Sequence, residues 1–172
     1  MGLKFNPLTG EFNSTSAASA LFTSYARLSD TKGNNVQGGT SLSDDVQTRT
    51  LNTEDWDPDN IVTLSSNQFT LGAGSYYIKY RVPYMQTDRS LAYVYDVTNT
   101  INIQSSASAG YSVDSSGDDM DWLQNSCRVT LTANNVYEIR HYTQQARIDY
   151  GLGLAANAGV NEIYTVVEIY KE

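Results

Sequence analysis

The stretch SYYIKYRVPY, residues 75–84, alternates at a period of two. Tyr76, Ile78, Tyr80 and Val82 fall on one face, and Tyr77, Lys79 and Arg81 on the other. The same alternation returns in SCRVTLT, where Cys127, Val129 and Leu131 oppose Arg128 and Thr130. In NVYEIRHY, Tyr137, Ile139 and His141 oppose Val136, Glu138, Arg140 and Tyr142. Period two is the signature of a strand with one face in a core. Helical periodicity is nearly absent. Strands are expected at 21–28, 46–51, 68–71, 75–82, 91–99, 100–104, 126–132, 136–143, 150–155 and 163–170. Most are closed by Gly, Asn, Asp or Ser, and 75–82 is closed by Pro83, which has no amide hydrogen for a ladder. Many short strands at this spacing form a sandwich or a barrel.

The final run, NEIYTVVEIYKE, departs from simple alternation. Ile163, Thr165, Val167 and Ile169 share one face, while Tyr164, Val166, Glu168 and Tyr170 share the other. Both faces are largely apolar, so the strand needs a cover on each side. One cover is the protomer core. The second is either another copy of the chain or a loop of the same chain.

A chain of 172 residues, 40% of them hydrophobic, supports one domain with a real core. Its formal net charge of −8 argues against nucleic acid and against an anionic membrane as partners, since both select basic patches. The opening MGLKFNPLTG lacks the apolar central run of a signal peptide, and no stretch approaches membrane-spanning length. A single cysteine, Cys127, excludes an intrachain disulfide framework.

Residues 1–18 read as a separate segment, with the β domain covering 19–172. The segment scatters Phe5, Leu8 and Phe12 around Pro7 and Gly10 and runs into a Ser/Thr/Ala linker. That is too little apolar surface to fold alone, yet more than a solvated tail needs. It is expected to dock on a partner through Phe5, Pro7, Leu8 and Phe12, the other reading being a tail packed on its own domain. No heptads or collagen-like repeats place a shaft between segment and domain.

Catalytic chemistry has little to draw on. His141 is the only histidine and sits within a strand, with no nucleophile motif beside it. Cys127 alternates with core residues and reads as a small buried hydrophobe. No enzymatic activity and no cofactor are expected. Asp114, Asp118, Asp119 and Asp121 cluster in VDSSGDDMDW, an oxygen-rich loop that could take Ca²⁺, although its spacing is not that of an EF-hand. The other reading is a solvated acidic loop. In NTEDWDPDN, Asp57-Pro58-Asp59 reads as a turn. Tyr84, Tyr93, Tyr95, Tyr111 and Trp122 are candidates for contacts to sugar or protein, or else for core packing.

Four longer stretches carry a resemblance. They are QTRTLNTEDWDPDNIVTLSSNQFTLGAGSYYIKYRVPY, AYVYDVTNT, CRVTLTANNVYEIRHYTQ and GLGLAANAGVNEIYTVVEIYKE. Residues 46–172 resemble a C1q/TNF-like jelly-roll module of tailed-bacteriophage virion proteins. The matching elements are the turn Leu51-Asn52-Thr53, the turn Asp57-Pro58-Asp59, the run Leu64 to Leu71 and the closing strand Val166 to Glu172. Tyr170 stands where that pattern has Trp, and the segment SASAGYSVDSSGDDMDWLQNS is longer and more acidic than the pattern. LKFNPLTGEF resembles the N-terminal tag of phage appendage proteins.

The resemblance implies an all-β, ten-stranded jelly-roll sandwich that forms a homotrimer, with the last strand near the threefold axis. Tyr164, Val166 and Tyr170 are then the expected trimer contacts. It also implies a virion protein made in the host cytoplasm, docked on a capsid or tail protein by its N-terminal segment. Two roles follow from that placement: decoration of the particle surface, or a tail-borne receptor-binding tip that recognises a host glycan or protein. A secreted bacterial adhesin of the same fold is a third.

Overall fold

The computed structural model describes residues 3–6, 11–14, 21–112 and 120–172. The chain forms β1 (Leu3–Asn6), β2 (Glu11–Ser14), β3 (Ser24–Lys32), β4 (Asp45–Thr48), β5 (Thr53–Trp56), β6 (Val62–Ser65) and β7 (Gln68–Leu71). It continues with β8 (Gly74–Met85), β9 (Asp88–Asp96), β10 (Ile101–Asn102), β11 (Ser108–Ser112), β12 (Met120–Leu131), β13 (Asn135–Thr143) and β14 (Glu162–Lys171). A single short 3₁₀ turn, Gln104–Ser106, is the helical content of the described residues.

In the N-terminal segment β1 and β2 pair antiparallel, with Phe5 opposite Phe12 in register. Pro7 and Leu8, the other two expected docking residues, lie outside the described residues, as do Asp114, Asp118 and Asp119.

The body is two antiparallel sheets. One runs β12-β8-β14-β3-β5, with β14 in the middle. The other runs β10-β9-β13-β7-β6. In it β11 extends the β10 lane along β9, and β4 extends the β7 lane along β13. Ten strands were expected, and among the described residues the sandwich holds twelve. The difference is interruption, because two of the lanes are each filled by two short strands.

The core fills the space between the sheets by the expected alternation. Tyr76, Ile78, Tyr80 and Val82 from β8 are buried with Val167 and Ile169 from β14, and they meet Phe69, Tyr137, Ile139, Ala92 and Val94 from the other sheet. Burying large side chains of this kind stabilises by about 1.5–3 kcal/mol each. The Phe69 and Tyr137 rings stack at 5.8 Å. The Tyr80 hydroxyl is satisfied within the core, 2.7 Å from the Ala92 carbonyl oxygen and 2.6 Å from that of Ser106.

Several expected boundaries are corrected. β3 starts and ends later than 21–28, and β12 begins at Met120 rather than Ser126. Of 100–104 only Ile101–Asn102 is strand. Residues 150–155 form a loop. There Gly153 adopts φ +135°, its N–H donates to the Tyr150 carbonyl at 2.9 Å, and the Gly38 N–H donates to the Gly153 carbonyl at 2.8 Å.

The last strand is also corrected. Its pairing with β3 slips between Ile163 and Val166, a bulge that breaks the alternation. Ile163, expected in the core, is 40% exposed, whereas Thr165, Val167 and Ile169 point inward and are fully buried.

Candidate functional site

The outward face of the five-stranded sheet is built by three rows of side chains in register across its strands. The first row is aromatic. Tyr25 on β3, Tyr170 on β14 and Tyr77 on β8 are directly paired, and Arg128 on β12 completes the row. Tyr25 and Tyr170 lie 4.9 Å apart between ring centroids, Tyr77 and Tyr170 6.1 Å. Phe22 caps the row at 5.0 Å from Tyr170, and the Arg128 guanidinium stands 5.1 Å over the Tyr77 ring. Tilted ring pairs at these distances attract one another beyond simple burial.

The second row is ionic. Glu168 on β14 lies between Arg27 on β3 and Lys79 on β8. Lys79 Nζ reaches Glu168 Oε2 at 3.2 Å, and the Tyr25 hydroxyl donates to Oε1 at 3.3 Å. Arg27 pairs instead with Asp55 Oδ2 at 2.8 Å. Burial and the adjacent Glu168 push the Tyr25 hydroxyl up to about 12, so it stays a donor at ordinary pH. The third row sets Val166 between Ser29 and Arg81, with Gln124 beyond Arg81. Arg81 stacks on Trp122 at 5.1 Å. Between the second and third rows runs a groove of about 630 Å³.

The three residues expected at a trimer seam are thus placed differently from one another. Tyr170 is half-buried at the centre of the aromatic row. Tyr164 is 3% exposed within the single chain. The 150–155 loop covers it, so closely that a Cβ on Gly153 would collide with its ring, and its hydroxyl donates to the Val36 carbonyl at 2.8 Å. Val166 is 4% exposed and forms part of the groove floor. Tyr164 and Val166 therefore have little surface left for a neighbour. At that end of β14 the second cover is the chain's own loop.

A buried polar node, unforeseen in the sequence, joins the two sheets beside that loop. Arg49 is fully buried and donates to the Leu152 carbonyl at 2.9 Å and to Thr165 Oγ1 at 3.0 Å. It also lies 3.4 Å from His141 Nδ1 and from the Pro83 carbonyl oxygen. Burial lowers the guanidinium to about 10, opposed by the charge of Asp30. His141 is held well below its usual range, first by burial and then by Arg49, so its ring is neutral. Among the described residues, His141 Nε2 and Asp30 Oδ1 have no hydrogen-bond partner.

The Cys127 thiol is pushed up to about 12 by burial, which keeps it protonated. Asp57 is a turn residue whose two carboxylate oxygens accept the amides of Ile61 and Val62, both at 2.9 Å. Asp121 is exposed and accepts from the Tyr84 hydroxyl at 3.2 Å. Among the described residues no three His, Cys, Asp or Glu side chains are grouped to hold a metal ion. Of the expected surface aromatics, Tyr84 and Tyr93 are core residues, and Arg140 stacks on Tyr95 at 3.3 Å. Tyr111 is 62% exposed. The sequence reading missed Trp56, which is 58% exposed beside Phe22 and Tyr25. It lies on a short edge strand too polar to alternate.

No protein-family model matches the chain, and no curated protein does. Solved structures do. The globular domain of zebrafish complement 1qA protein matches with a TM-score of 0.53 at 12% identity, over 86% of this chain and 95% of that one. Murine APRIL at pH 5.0 matches with a TM-score of 0.59 at 12% identity, over 87% and 98%. Eiger TNF from S. frugiperda matches with a TM-score of 0.54 at 14% identity, over 86% and 91%. None of the three is a phage protein. At such identities the likeness is one of architecture, and the chain has the C1q/TNF-like jelly-roll fold.

Proposed function

We propose that the chain is a homotrimeric structural protein of a tailed-phage particle. It docks through residues 1–18 and displays its jelly roll on the particle surface. The observation that carries the trimer is the aromatic row Tyr25-Tyr170-Tyr77, capped by Phe22. It lies on the outward face of the central strand of the five-stranded sheet. Half-buried tyrosines suit an interface that is apolar in its middle and polar at its tips. The C1q- and TNF-type neighbours, domains that are typically homotrimeric, support the same assembly. The phage setting is supported by the sequence motifs of residues 46–172 and by LKFNPLTGEF. Three docking segments on one trimer would raise avidity without new contacts.

A second reading, a receptor-binding tip on the tail, draws on Tyr111 and Trp56, large aromatics left in solvent. Gold-labelled antibody imaging of intact particles separates the two. Label spread over the head supports decoration, label confined to the tail supports the tip, and unlabelled particles refute both.

A further inference from the structure

We propose that the groove between the ionic and Val166 rows is a binding site for a small oxyanion of the sulfate or phosphate class, with Arg81 as its principal ligand. The protein carries a net charge of −8, yet Arg27, Lys79 and Arg81 line this groove against one carboxylate, Glu168. Two of the three cations are already matched. Arg27 is held by Asp55 at 2.8 Å, and Lys79 by Glu168 at 3.2 Å. Glu168 is occupied in turn, since Tyr25 and Tyr170 also donate to it, at 3.3 and 3.5 Å. Arg81 has no carboxylate within 4.0 Å among the described residues.

What Arg81 does have is the Trp122 ring, 5.1 Å from its guanidinium carbon. Stacking on an aromatic face holds the guanidinium plane while leaving its N–H edge free to donate. A planar fork of donors is the group that best matches tetrahedral and planar oxyanions. Further donors stand beside it. Gln124 is directly opposite Arg81 in the β12–β8 pairing, and no hydrogen bond ties down its side-chain amide among the described residues. Ser126 accepts from the Tyr77 hydroxyl at 2.9 Å, so its own hydroxyl proton remains to be donated. Lys79, opposite Ser126, contributes positive charge from the neighbouring row.

The groove shares its face with the tyrosine row, and to that extent the proposal rests on the trimer reading. At a seam between copies Arg81 would be desolvated without a counter-charge, and a bound oxyanion supplies one.

Trp122 is a built-in reporter. The full chain carrying Trp56→Phe leaves it as the single tryptophan. Sodium sulfate is titrated against sodium chloride at matched ionic strength while Trp122 emission is followed, with inorganic phosphate as a second probe. A saturable change with sulfate and phosphate, half-complete at millimolar concentration or below, is expected, with no such change in chloride. Arg81→Gln should weaken it at least tenfold, and Arg81→Lys, which keeps the charge but not the fork, by less. An equal response in chloride, or an undiminished one in folded Arg81→Gln or Arg81→Lys, overturns the site. Light scattering on the same samples reads the trimer separately. A monomer that still responds to sulfate refutes the seam and keeps the site, and a trimer that does not respond refutes the site and keeps the seam.

Discussion

Replacing Arg49 tests whether the sandwich is pinned at one end by its buried polar node. Arg49→Met keeps much of the side-chain length and removes every donor. It strands the Leu152 carbonyl and the Thr165 hydroxyl, now bonded at 2.9 and 3.0 Å, in a region closed to solvent. An unsatisfied buried acceptor costs about 1–3 kcal/mol, so the two together predict a loss of ~4 kcal/mol. Asp30 also loses the favourable charge of Arg49. Against a typical total of ~5–15 kcal/mol this is a large fraction. The loss is offset in part because a buried cation no longer has to be desolvated. Urea unfolding at pH 7, at one fixed protein concentration so that any assembly contributes equally, gives the difference. Arg49→Lys should fall between the two, having charge but no fork. A loss below ~1 kcal/mol for Arg49→Met would show that the node is a tolerated polar inclusion and that the 150–155 loop is held by other contacts.

Three further outcomes follow from the same geometry. His141 folds in its neutral form, its pKa held below the ordinary 6.5 by burial and by Arg49, so its contribution is complete above that value and is lost as pH falls below it. Wild type should therefore lose up to ~1.4 kcal/mol per pH unit more than His141→Gln on the acid side of 6.5, measured by urea melts from pH 7 to 4.5. Equal slopes would refute it. Gly153→Ala places a Cβ against the Tyr164 ring at a φ of +135° and should cost about 2–4 kcal/mol by thermal melt, while unchanged stability would mean that the loop does not press on Tyr164. Cys127 should react with a thiol reagent only as fast as the protein unfolds, and rapid labelling in native buffer would contradict its burial.

What was legible in the sequence was what period two can carry. Tyr76, Ile78, Tyr80 and Val82 are inward because each has a polar or half-polar neighbour in chain to contrast with, and Tyr137, Ile139 and His141 follow the same rule. Short polar strands give no such contrast. Thr53–Trp56 offers one apolar side chain in four residues, so neither its edge position nor the exposure of Trp56 could be read. The strand expected at 150–155, which includes GLGLA, is a loop. Gly153, between Leu152 and Leu154, lets that loop lie directly on Tyr164. The question raised by β14, what covers its second face, was sound, but its answer is divided. The chain's own loop covers Tyr164, while the row around Tyr170 stays half-buried and is the face proposed for a neighbouring copy. Arg49 was beyond reach for another reason. Its partners Leu152 and Thr165 stand 103 and 116 residues away, and an arginine in VQTRTL reads locally as a surface residue.

The central claim is that copies of this chain meet on the Tyr25-Tyr170-Tyr77 face. Sedimentation equilibrium of the full chain at micromolar concentration, beside the Tyr77→Glu/Tyr170→Glu double variant, tests it most directly. The account predicts three times the 19.0 kDa chain mass for wild type and the single chain mass for the variant, with the sheet content of the variant retained by circular dichroism. A monomeric wild type, or a variant that remains trimeric, would contradict it.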